Sequence, residues 1–168
     1  WAKINHFKSS NNLEQSENGV KINDKMPHYA FEFMNKAFNL KSLINKKILL
    51  LGISYRGDVG DTRYSPVEPF YHNCILHGAE VDIHDPYIEF WEELNIKVFS
   101  DLENKLNKNW DIIVFSTAHS NYKNSVIINK ISSMSNVMIY DSVGVLREID
   151  ILKMNKNNMV KVLGRGDI

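Results

Sequence analysis

The residues best equipped for chemistry lie together in LLLGISYRGDVGDTRYSP, residues 49–66. An apolar run stops at Gly52, and the segment after it carries Tyr55, Arg56 and Arg63 among Gly57, Gly60, Asp58 and Asp61. A guanidinium fork matches phosphate oxygens, and a tyrosine ring offers a flat face to a base. The usual dinucleotide fingerprint places glycines as G-x-G-x-x-G directly between strand and helix. Here the glycines are 52, 57 and 60, and twelve residues separate Gly52 from Ser65. The tight turn against a pyrophosphate is not encoded in that form, and no Gly-Lys-Ser/Thr follows to make a Walker-type loop. Composition leaves two readings open: a ligand loop at a strand end, or a surface loop whose arginines pair with Asp58 and Asp61.

Other reactive residue types are sparse. Asp85 ends an apolar stretch before Pro86, where an acid can hold a ribose hydroxyl, but Asp-Pro also makes a common turn and the glycine fingerprint is missing. Cys74, the single cysteine, falls on the apolar stripe of a helix with no base near it in sequence, which favours a structural thiol over a nucleophile. The six histidines show no ligand spacing, and one cysteine cannot build a thiolate metal site, so no metal is expected. His119, in STAHS, stands where a strand ends, with a loop or capping role as the competing reading.

These residues need elements to hold them. KKILLLGI, from 46, is a continuous apolar run, as in a strand covered on both faces. Further strands are expected at 79–84, 97–99, 111–118, 137–142 and 159–164, with helices at about 65–77, 87–94, 121–133 and 144–154. This alternation predicts an α/β fold, Rossmann-like and doubly wound, with a mainly parallel six-stranded sheet whose strand C-termini share the ligand edge. Ser65, Pro66 and Glu68 read as a capping box for the helix after the arginine loop, with Val67, Phe70, Tyr71, Cys74 and Ile75 facing inward and Gly78 as its stop. Upstream, residues 8–19 read as a polar loop. A helix is expected at 26–38, with Pro27 in its first turn and Tyr29, Phe33, Met34 and Ala37 as a stripe, widened by Ala30 and Phe38, packing on another domain or subunit.

The chain has 168 residues, 43% of them hydrophobic, and its 20 basic and 20 acidic residues cancel. A nucleic-acid binder carries a basic excess, so that class is disfavoured. No run approaches the roughly 18 apolar residues of a membrane span. One cysteine fits a cytoplasmic location. The chain does not begin with Met, and a processed chain or a portion of a longer one is expected.

Together, LLLG, SYRGDVGDTRYSP, HGAEV, HDP, STAHSNY and INDKMPHYAFEFM, across about residues 20–142, resemble the C-terminal domain of the nucleotide-sugar dehydrogenases, the family of UDP-glucose and UDP-N-acetylmannosamine dehydrogenases. The resemblance implies an NAD-dependent enzyme that oxidises the C6 hydroxyl of a UDP-sugar to a carboxylate through a cysteine-bound intermediate. It implies that residues 1–45 end the central helical, dimerising region and that 46–168 form the UDP-sugar-binding domain. Tyr55 and Arg56 fall on the family's Phe-Lys pair at the UDP-sugar, and Arg63 on the arginine that reaches NAD. Arg56 departs from the commoner Lys, and the late substrate-binding Arg of some members would fall near Val143-Gly144, where it is absent. The glycine fingerprint and the Gly-Gly-x-Cys loop have no counterpart in this sequence. The chain alone is therefore expected to be inactive and to contribute no catalytic residue, with most NAD contacts made by the family's N-terminal half. The full-length enzyme is expected to be a homodimer or higher homo-oligomer. The competing expectation is a free-standing, non-catalytic nucleotide-binding module.

Overall fold

The run after Lys46 becomes strand β1 (Lys47–Leu51), and its alternation assigns the two faces of the sheet. Ile48 and Leu50 pack into one core with Ile112, Val114 and Tyr140. Leu49 and Leu51 pack into a second with Ile113, Phe115 and Ile139. Both faces are covered, so every position after Lys47 is apolar. The computed structural model describes residues 11–98 and 101–166.

Along the chain come α1 (Asn11–Ala37), β1, α2 (Val67–Leu76), β2 (Glu80–His84), β3 (Phe90–Trp91), β4 (Ile96–Lys97) and α3 (Leu102–Leu106). Then come β5 (Ile112–Phe115), α4 (Ser125–Ser132), β6 (Met138–Asp141), α5 (Glu148–Met154) and β7 (Met159–Val162). The main sheet is fully parallel, in the order β2-β1-β5-β6-β7. The chain leaves β1 toward β2 and later returns to the other side of β1 as β5. The topological switch therefore lies between β1 and β5, where open α/β sheets hold their ligands. α1 and α2 cover one face, and α3, α4 and α5 the other.

The Rossmann-like expectation holds, with five strands in the main sheet rather than six. The expected strand at 97–99 contributes only Ile96–Lys97, paired antiparallel with Phe90–Trp91 in a separate hairpin; residue 99 lies outside the described residues. The expected helix at 87–94 is that hairpin's first strand and a 3-10 turn, Glu92–Leu94. The spacing of Ile88 and Trp91 suits a helix, but both are buried from an irregular segment, with Trp91 edge-on to Tyr71 at 5.6 Å between centroids. Tertiary burial overrode the local period.

The N-terminal arm also differs. The expected loop at 8–19 is helical from Asn11, and residues 8–10 lie outside the described ones. Pro27 sits within the helix rather than at its start. The buried stripe is Ala30, Phe31, Met34 and Phe38, while Tyr29 faces out. This stripe packs on the chain's own sheet and α2. The Tyr140 hydroxyl donates to the Ala30 carbonyl at 3.0 Å, tying α1 to β6. Residues 14–26 are exposed.

Candidate ligand site at the strand edge

The loop after β1 is closed on itself and pressed onto its neighbour. The Tyr55 N–H donates to the Asp61 carbonyl at 2.7 Å, making residues 55–61 a ring. Gly52 has φ +97, and a Cβ there would fall on Thr117. A Cβ at Gly57 would fall on the Ala118 carbonyl. These glycines thus let the β1 and β5 loops touch. The Thr117 hydroxyl completes the contact by donating to the Ser54 carbonyl at 2.9 Å.

A cavity of about 880 Å³ opens above β5, β6 and β7, against α1 and the start of α2. Tyr55 and Arg56 line it from the β1 loop, and Ser116, Ser142 and Val143 from the ends of β5 and β6. From α1 come Asn23, Asp24 and Pro27. Pro27 has no N–H for the Asn23 carbonyl one turn earlier, so a backbone acceptor at this wall lacks its usual helical donor. Arg56 is the only cation among the lining residues, and among the described residues it has no carboxylate within ion-pair distance. An exposed guanidinium beside the exposed Tyr55 ring can take a phosphate oxygen pair while the ring takes a flat face.

Arg63 stands apart from this wall. Its Nε and Nη2 donate to the two Asp61 carboxylate oxygens at 3.0 and 2.8 Å, on the exposed side of the loop. The hydrogen bond from Arg63 holds the Asp61 carboxyl down at about 2. The two readings of the loop therefore divide: Arg63 pairs with an acid as in a solvated loop, and among the described residues Arg56 does not. Tyr64 comes next with φ 58, a left-handed conformation rare for a bulky residue, and its ring lies almost fully exposed at the cavity rim. Val143 lines the cavity, and its N–H and that of Gly144 donate to Asp141.

Asp85 is fully buried and works inward. Its Oδ2 accepts from the Ile53 N–H at 2.8 Å, from Ser54 through N–H and hydroxyl at 3.1 and 3.0 Å, and from His119 Nε2 at 3.1 Å. Its Oδ1 accepts from the Tyr87 N–H at 2.9 Å, which is the turn reading of Asp-Pro. Burial works to raise its pKa, but the hydrogen bonds from His119, Ile53 and Tyr87 outweigh it and hold the carboxyl below its ordinary value. With both oxygens committed and no exposure, it cannot meet a ribose. Cys74 is fully buried, and burial pushes its thiol up to about 12. That burial disfavours a thiolate, in keeping with its place on the apolar stripe. No group of three or more His, Cys, Asp or Glu that could hold a metal occurs among the described residues.

Asp58 does more than the ion pairing its charge suggests. Its carboxylate accepts from the Ser120 N–H and hydroxyl at 2.8 and 2.9 Å, and its own N–H donates to His119 Nδ1 at 2.9 Å. Sequence reasoning missed this role: a glycine beside Asp58 marks a close approach, but no pattern in the sequence says to what.

The sequence and the fold are similar to those of known proteins. A family model described as UDP-glucose/GDP-mannose dehydrogenase family, UDP binding domain, matches residues 49–148. A UDP-N-acetyl-D-mannosamine dehydrogenase of Methanococcus aeolicus is 34% identical over 116 residues, 69% of this chain and 25% of the relative. That of Methanocaldococcus jannaschii is 32% identical over 144 residues, covering 82% and 31%. Among solved structures, an NDP-N-acetyl-D-galactosaminuronic acid dehydrogenase from Methanosarcina mazei superposes with TM-score 0.73 at 27% identity, covering 86% of this chain and 30% of that one. The chain thus spans about a quarter to a third of the length of these relatives.

Proposed function

The chain belongs to the UDP-glucose/GDP-mannose dehydrogenase family through its UDP-binding domain, and on that premise we propose that it is the UDP-sugar-binding portion of an NAD-dependent nucleotide-sugar 6-dehydrogenase. The observation that carries this reading is Arg56, an exposed cation without a carboxylate partner among the described residues, on the wall of an 880 Å³ cavity at the strand C-termini. Arg56 holds the diphosphate and Tyr55 lies along the nucleotide. Residues 46–168 form the binding domain, and residues 1–45 end the helical region that leads into it in a homo-oligomeric enzyme.

We assign NAD no dinucleotide cradle among the described residues. The space beside Gly52 and Gly57 is occupied by Thr117 and Ala118. The chain offers that cofactor the Arg63 guanidinium on its outer rim, and no hydride step is assigned to its residues. The buried thiol of Cys74 gives no nucleophile for a covalent intermediate.

Calorimetry of the 168-residue chain with UDP tests the reading. Heat of binding is expected for UDP, and Arg56→Ala is expected to weaken it by ~1.5–3 kcal/mol, the worth of a hydrogen bond to a charged group. Unchanged affinity in that variant would remove the assignment. In the same preparation, UDP-sugar and NAD together are expected to give no absorbance of NADH; turnover would place catalysis inside this chain.

A further inference from the structure

His119 is fully buried, yet each of its ring nitrogens has a partner on a different segment. Nδ1 accepts from the Asp58 N–H at 2.9 Å, which requires that nitrogen to be unprotonated. Nε2 lies 3.1 Å from Asp85 Oδ2, an oxygen that already accepts from Ile53 and Ser54 and so receives a proton rather than giving one. The imidazole is thereby fixed as the neutral Nε2–H tautomer. Through Asp85 it is anchored to the end of β2 and the base of the β1 loop. Through Asp58 it grips the tip of that loop, two residues beyond Arg56. The tip rests on the β5 loop at two further points: Gly57 against the Ala118 carbonyl, and the Asp58 carboxylate on Ser120. The ring is enclosed by aromatic groups, with Tyr87 and Tyr122 at 5.1 and 5.5 Å between centroids.

We propose that His119 is a positioning residue for the nucleoside-diphosphate ligand: it touches no ligand itself, but by holding Asp58 and Asp85 together it fixes the backbone that presents Tyr55 and Arg56 to the cavity. The inference rests on the reading of Arg56 as the diphosphate ligand. The two bonds of the ring have different tasks. The one to Asp58 acts on the loop tip, while the one to Asp85 orients the imidazole.

The two bonds can be separated. In His119→Asn the amide oxygen falls near the position of Nδ1 and keeps an acceptor for the Asp58 N–H. In His119→Gln the amide nitrogen falls near Nε2 and keeps only the donor to Asp85. Titrated with UDP, His119→Ala is expected to bind roughly tenfold more weakly than the unaltered chain, the loss of about one net hydrogen bond. His119→Asn is expected to restore most of that loss and His119→Gln little of it. An Asn variant no better than Ala, or a Gln variant as good as Asn, overturns the proposal.

Nitrogen-15 shifts of the ring in the unaltered, ligand-free chain give an answer that needs no variant to fold. A bare Nδ1 and a protonated Nε2 are expected at neutral pH, and a protonated Nδ1 overturns the proposal. If UDP does not bind the unaltered chain at all, the reading of the cavity falls and the positioning is judged on the Asp58 amide alone. Slow hydrogen exchange of that amide in the unaltered and Asn forms with fast exchange in the Gln form supports the proposal; equal exchange in all three overturns it.

Discussion

Arg56 and Arg63 share a loop and divide its two readings between them. Which arginine would pair was not legible, because pairing depends on how the chain folds back: the ring closed by Tyr55 and Asp61 places the Asp61 carboxylate beside Arg63. The same ion pair makes a pH prediction. Asp61 has its folded value lowered from 3.8 to about 2, so the contribution of the pair is present above the unfolded value and fades as pH falls from there toward 2. In an NMR titration the Asp61 midpoint is expected near 2, and Arg63→Ala is expected to return it toward the ordinary ~3.9. A midpoint that ignores the substitution would show that Arg63 is not the group that holds it down. Cys74 was readable as structural from its helical position alone, since burial of a helix stripe is a local pattern that the fold had only to honour.

The element most completely written in the sequence is α2. Val67, Phe70 and Cys74 are buried as their spacing implies, although Ile75 faces out, and Gly78 closes the helix at φ +86 with its N–H on the Ile75 carbonyl. The expected capping box does not form, since neither of its two bonds with Glu68 is made. Ser65 Oγ accepts from the Val67 N–H at 3.2 Å, but the Ser65 N–H turns to the Thr62 carbonyl instead of to Glu68. The incoming loop supplies the acceptor that the glutamate would have given. Ser65→Ala is accordingly expected to cost about 1 kcal/mol in urea unfolding, as an N-cap does; a loss below a few tenths would mean the cap is dispensable. The hairpin of β3 and β4 and the continuous α1 were not readable. Asp85–Pro86 announces a stop without specifying the hairpin beyond it, and Pro27, lacking an N–H, is locally indistinguishable from a helix start. The helix nevertheless runs through it.

At the scale of the whole molecule, the arm and the sheet form one body over residues 27–38, and the same contact makes one wall of the cavity. One link is Tyr140 to Ala30, 110 residues apart in sequence. Tyr140→Phe keeps the ring stacked near Phe33 and Phe70 while removing the donor. It is expected to destabilise the chain by about 1 kcal/mol in urea unfolding, with faster hydrogen exchange along residues 27–38. Exchange there indistinguishable from the unaltered chain would deny α1 its tie to β6.

Most strand and helix positions, the stop after Leu51, the α2 cap and the structural place of Cys74 were determined by the sequence itself, because each depends on periodicity, backbone restriction or a neighbour a few residues away. The five-strand count, the use of Gly52 and Gly57 to seat one loop on another, the inward role of Asp85 and the lack of an acidic partner for Arg56 among the described residues were decided only by the tertiary structure. Each depends on which groups from remote parts of the chain arrive within 3 or 4 Å, and no local pattern of side chains carries that distance.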